Sequence, residues 1–161
     1  MADIIVDGFT RVDFVATIAN PAGPTVAELG AGVYLGTVLT ASGMEGFEAS
    51  PGEVDNTSFD SRFDTKVPGV SAYSGTRLIL KKQSGIDTVH TTLTTLNTIG
   101  HLVVRDALAR ATAYAAAQKV NVYPITTGDW DYMARERNSM LRYWVATPIR
   151  AEPSKNATVV A

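Results

Sequence analysis

Residues 48–83, EASPGEVDNTSFDSRFDTKVPGVSAYSGTRLILKKQ, decide how the chain is read. The closing stretch, Thr76–Gln83, is a strand, with Leu78 and Leu80 on one face and Arg77 and Lys81 on the other. Before it come about two dozen residues with neither a helical nor a strand period, a length that compact domains seldom leave without a function or a partner. Pro51-Gly52, Asp55-Asn56 and Pro68-Gly69 supply turn chemistry. Phe59, Phe63, Val67, Val70 and Tyr73, the last two following Pro68, supply apolar groups that a solvated linker lacks. The segment is therefore read as a loop arm, residues 48–75, with apolar anchors and no core of its own. Those anchors are expected to be buried against another copy of the protein. Glu45, Glu48, Glu53, Asp55, Asp60 and Asp64, with Arg62 as their basic neighbour, make the same stretch an acidic patch.

Upstream, Arg11–Ile18 alternates as a strand, with Val12, Phe14, Ala16 and Ile18 on one side. After the break at Asn20–Pro24, Thr25 and Glu28 form a capping-box pair for a short helical turn, Thr25–Leu29. Val33–Thr40 is apolar on both faces and predicts a strand covered on both sides, with a short strand following near Glu45–Glu48. Downstream, Ile86, Val89, Leu93 and Leu96 recur at helical steps. They predict a flanking helix over residues 85–98, begun by Ser84 with Asp87 and closed by Gly100, with a strand as the rival reading because its threonines are poor helix formers.

Gly100–Asp106 is a further strand, and Val120–Thr127 another, whose Pro124 calls for an edge or a bulge. Ala107–Gln118 fits a helix or a compact excursion equally well. Gly128–Ser139 reads as irregular, with Trp130 and Tyr132 capping the core. Met140–Ala151 reads as the longest strand, and Ala157–Ala161 as a short terminal strand or a frayed end.

The total is one mainly β domain, residues 1–161: a β-sandwich or partly open barrel with one flanking α-helix and a long loop arm.

Composition narrows the function classes. Without cysteine the chain has no disulfides and no thiol chemistry. A net charge of −2 lacks the basic face needed to grip nucleic acid, although it leaves room for DNA that merely passes. No apolar run is long enough for a membrane helix, and the N-terminus carries acids where a secretory signal carries Lys or Arg.

The two histidines, His90 and His101, have no metal-ligand spacing, and the loop aspartates miss the alternate-position pattern of a calcium loop. No nucleophile elbow, phosphate loop or dinucleotide fingerprint is present. No catalytic, cofactor-binding or metal residue is expected, and the chain is read as non-enzymatic.

The succession of TVAELGAG (residues 25–32), FDTKVPGVSAYSG (63–75) running into TRLILKK, a short helix, GHLVVRD (100–106) and VNVYPITTG (120–128) resembles the tail tube proteins of long, non-contractile-tailed bacteriophages. The resemblance implies a structural virion protein, made in the host cytoplasm, that self-assembles into hexameric rings. Those rings would stack into a tube through which DNA leaves without tight binding, with tape-measure and tail terminator proteins as further partners and no membrane. The arm residues Phe59, Phe63, Val67, Pro68, Val70 and Tyr73 would then reach a neighbouring subunit. The alternative is a monomeric β-sandwich module that binds carbohydrate or protein with the arm as a lip.

Overall fold

The computed structural model describes residue 3 and residues 6–161; Met1, Ala2, Ile4 and Ile5, which the single-domain expectation takes in, lie outside the described residues. In chain order the elements are β1 (Arg11–Val15), α1 (Val26–Gly30), β2 (Val33–Tyr34), β3 (Leu39–Glu45), β4 (Ser50–Asp55), β5 (Lys66–Ala72), β6 (Arg77–Lys81), α2 (Thr88–Leu93), β7 (Ile99–Arg105), β8 (Lys119–Thr126), β9 (Trp130–Tyr132), β10 (Arg142–Ala146) and β11 (Ser154–Thr158).

The strands form a five-stranded sheet in the order β11-β8-β7-β1-β2, a four-stranded sheet in the order β3-β6-β10-β9, and a separate β4-β5 pair. All the paired strands are antiparallel. The two larger sheets enclose the main core. Val12, Phe14, Leu102, Val104 and Ile125 from one meet Leu78, Leu80, Tyr143 and Val145 from the other. Gly100 packs closely in this core: a Cβ there would come within 2.4 Å of the Phe14 ring. The residue expected to close a helix instead lets a core ring lie on the backbone of β7.

In the middle of the five-stranded sheet, along β1 and β7, alternation leaves neither face to solvent. Val15, Val103, Val120 and Val122 point the other way and form a second core with Leu29 of α1, Tyr114 and Val159. Strands apolar on both faces are what a doubly covered sheet requires. Asp13 and Arg105 also fall on this buried side, and both are fully buried.

The Asp13 carboxylate accepts from Arg11 Nε at 2.7 Å and from the Tyr114 hydroxyl at 2.6 Å. The Tyr114 ring lies near both guanidinium groups, 4.8 Å from that of Arg11 and 5.0 Å from that of Arg105. Burial and the bond to Asp13 push the Tyr114 phenol well above its usual range. Arg105 donates to the carbonyls of Ala109 and Ala113 and to Gln118 Oε1. This settles residues 107–118, which form no helix: a side chain takes carbonyls that a helix would have used, and Ala107 and Ala117 both have a φ of 68°.

Several boundaries differ from expectation. The first strand ends at Val15, because Ala16 and Thr17 are already exposed. The predicted strand Val33–Thr40 is broken by a turn in which Val38 and Leu39 both donate to the Leu35 carbonyl. It therefore supplies a piece to each sheet, and of the short strand expected near Glu45–Glu48 only Glu45 is in a strand, as the last residue of β3.

The flanking helix spans only Thr88–Leu93, with Asp87 rather than Ser84 as its cap. Ile86 and Leu96 are exposed, so only the middle of the apolar period packs. Burial works against the Asp87 charge, but the N–H groups of His90 and Gln83 and the Lys82 ammonium hold its carboxyl below the usual range. The Thr25–Glu28 capping box is present as expected, and it makes α1 a second short helix.

The strand expected over Met140–Ala151 shortens to β10, and the irregular Gly128–Ser139 contains β9, whose Trp130 and Tyr132 do pack on the core. β11 starts earlier than the expected terminal strand. Pro124 sits one strand in from the edge, but β11 pairs only with Lys119–Val122, and the Pro124 carbonyl accepts from Arg150 instead. The missing donor thus falls where the neighbouring ladder has ended.

Candidate assembly surface

The arm is a β-hairpin rather than a loop. β4 and β5 pair from Ser50↔Ala72 at the base to Asp55↔Lys66 at the far end. Asn56 N and the Thr57 hydroxyl both donate to the Thr65 carbonyl, which extends the pairing. Asp55 accepts from Thr57, and that bond holds its carboxyl below the usual range. At the tip the Ser61 hydroxyl donates to the Phe63 carbonyl at 2.7 Å and accepts from its N–H at 3.1 Å. The turn is therefore built from polar groups and leaves its rings free.

The acidic patch is less bare than the sequence implied, since Lys66 pairs with Glu53 at 2.8 Å and Arg77 pairs with Glu45. Asp60 and Asp64 remain at the tip with Arg62, all exposed.

Apolar groups on the arm meet water. Phe59 is fully exposed, Phe63 is 76% exposed and Val70 87%; Val54 and Val67 are about half exposed, and Pro68 is exposed too. Tyr73 differs. It lies at the base, half-buried, edge-on to Tyr123, which in turn meets Phe47. The arm leaves the domain between Gly46 and Gly75, with φ of 76° and 66°; a Cβ on Gly46 would stand 2.6 Å from the Ser74 carbonyl oxygen. Two chains can cross this closely only where one carries no side chain.

Beside the base is a cavity of about 830 Å³. Gly69 and Val70 of β5 with Tyr73 just beyond it line one side, and the crossing from β10 into β11, with Ile149, Arg150, Glu152 and, in β11, Lys155, lines the other. Lys155 Nζ stands 5.9 Å from the Tyr73 ring centroid.

Neither histidine belongs to this surface. His90 packs within an aromatic group, 5.0 Å from Trp130 and 4.8 Å from Tyr143. His101 is buried in β7. Burial pushes both imidazoles below their ordinary value, with Lys82 adding to the effect at His90 and Arg150 at His101. Among the described residues, no group of three or more His, Asp or Glu side chains is placed to hold a metal ion. No helix among them is long and apolar enough to cross a membrane.

A family model described as "Phage tail tube protein" matches residues 1–161. Among solved structures, the chain is similar to one from the six-fold symmetrised cryo-EM baseplate of the anti-feeding prophage. The TM-score is 0.54 at 9% identity, covering 94% of this chain and 95% of that one. No curated protein matches the sequence.

Proposed function

Because the chain belongs to the phage tail tube protein family, we propose that it closes into hexameric rings, that the rings stack into the tube of a phage tail, and that DNA leaves through the lumen. The protein is a structural tail component. The observation that carries the finer reading is the arm: a hairpin ordered by its own hydrogen bonds, open to water on both faces, with Phe59, Phe63 and Val70 on its surface. Such a surface calls for a partner. A second copy supplies one without any further gene product, and head-to-tail contacts close into rings. The similar baseplate chain comes from an assembly with six-fold symmetry, which supports a hexamer here.

The arm anchors in this reading are Phe59, Phe63, Val67, Pro68 and Val70, with Tyr73 fixing the base. Tape-measure and tail terminator proteins are the proposed partners inside and at the end of the tube. DNA slides rather than binds, since a chain of net charge −2 neutralises few phosphates.

Negative-stain images and light scattering of the purified protein test this. Rings or tubes, and a mass well above 17.2 kDa, are expected. The open cavity at the arm base favours the one rival, a monomeric binding module, and a species that stays at 17.2 kDa at high concentration would select it.

A further inference from the structure

We propose that the cavity at the base of the arm is the receptor for the arm tip of a second copy of this chain. The inference rests on the ring-assembly reading and adds to it the place where the arm lands.

Three observations carry it. The first is charge order. The tip presents Asp60, Arg62 and Asp64, while the far wall of the cavity presents Arg150, Glu152 and Lys155. Negative, positive, negative faces positive, negative, positive, and a pattern of this kind fixes register and rejects wrong partners.

The second is shape. The tip carries Phe59 and Phe63, the two most exposed aromatic rings, and the cavity offers about 830 Å³ beside Ile149, Val70 and Tyr73. That volume is in the range of ligand pockets, roughly 300–1,000 Å³, and its mixed lining offers both rings and charges a place.

The third is reach. The cavity lies along the base half of β5, and the tip stands about 15–20 Å further out, counted at about 3.3 Å per strand residue. The arm of one protomer is thus held away from its own cavity, so the occupant comes from another copy. Each chain gives one tip and takes one, as a ring requires.

The absence of cysteine makes the test direct. In the full chain, Phe63→Cys combined with Ala151→Cys should, on mild oxidation of assembled protein, give a ladder of multiples of 17.2 kDa on a non-reducing gel. Charge exchange gives an independent readout. Asp60→Lys with Asp64→Lys, and Arg150→Glu with Lys155→Glu, should each raise the concentration needed for assembly at least tenfold. All four changes together should bring it back to within about threefold of the starting protein.

Assembly of normal appearance with no ladder overturns the docking site while leaving the ring reading intact. So does a ladder from Val6→Cys with Ala151→Cys in its place, which would seat the N-terminal segment in the cavity. A failure of the four-fold variant to recover, when each half still folds, overturns it as well. If the unaltered protein stays at 17.2 kDa, the ring reading itself falls, and the docking site with it.

Discussion

Replacing Phe59, Phe63 and Val67 by serine separates the arm's two possible allegiances. In the protomer the two rings are almost wholly in water, and Val67 is 41% exposed, so their removal empties no core. The tip keeps its shape because the Ser61 hydroxyl and Thr57 hold it, not the rings. Exposed substitutions of this kind shift stability by about 0.5 kcal/mol or less each. In the proposed assembly the sums differ. Fully burying a phenylalanine is worth about 1.5–3 kcal/mol, so two rings with a partly covered valine amount to about 4–7 kcal/mol per contact. At about 1.4 kcal/mol per tenfold, the concentration at which protomers join should rise by about three to five orders of magnitude. Light scattering over a concentration series reads the assembly, and a urea midpoint reads the fold. The reasoning fails if the triple variant assembles at the original concentration. It also fails if its urea midpoint collapses, because the arm would then belong to the protomer's own core.

Further outcomes test the fold. Gly100→Ala drives a Cβ into the Phe14 ring at 2.4 Å and should lower stability by about 1–3 kcal/mol, read as a lower thermal midpoint. An unchanged midpoint would mean that the ring has somewhere else to go. Asp13→Asn removes the charge that holds Arg11 and Tyr114; it should cost about 2–3 kcal/mol in urea and open residues 107–118 to proteolysis. Intact protection of that segment would show that Arg105 alone secures it. Both histidines have a folded pKa below the ordinary value near 6.5, so the unfolded chain binds more protons as pH falls through that point. Stability should therefore be full above about pH 6.5 and decline below it, ahead of any loss from Asp87 and Glu28, whose depressed pKa values place theirs below about pH 4. Ring-proton NMR titration giving either histidine a pKa at or above about 6.5 would contradict this.

The parts of the fold legible in the sequence are those in which one protomer buries something. β1, β6 and β7 show their apolar residues at strand spacing because a core lies on one or both sides. The Thr25–Glu28 pair announced α1 because its logic is local. β4 and β5 bury nothing within the protomer, so SPGEVD and KVPGVSA carry no alternation, and their prolines and glycines argued against strands. The hairpin shows itself only in cross-strand pairs such as Glu53 with Lys66, which sequence order does not reveal. The helix expected over residues 85–98 exceeds the real one because Ile86 and Leu96 fit a helical period while facing water. The cavity at the arm base was invisible for another reason: Tyr73 and Lys155 meet across more than half the chain.

Both strands of the arm contain a proline, Pro51 and Pro68, and strand prolines turn their donorless nitrogen to the open side. A ribbon with gaps along its margins makes a poor template for indiscriminate sheet growth. In the assembly proposed above, two such ribbons that collide would not simply merge into one sheet, and joining would depend on a tip meeting its seat.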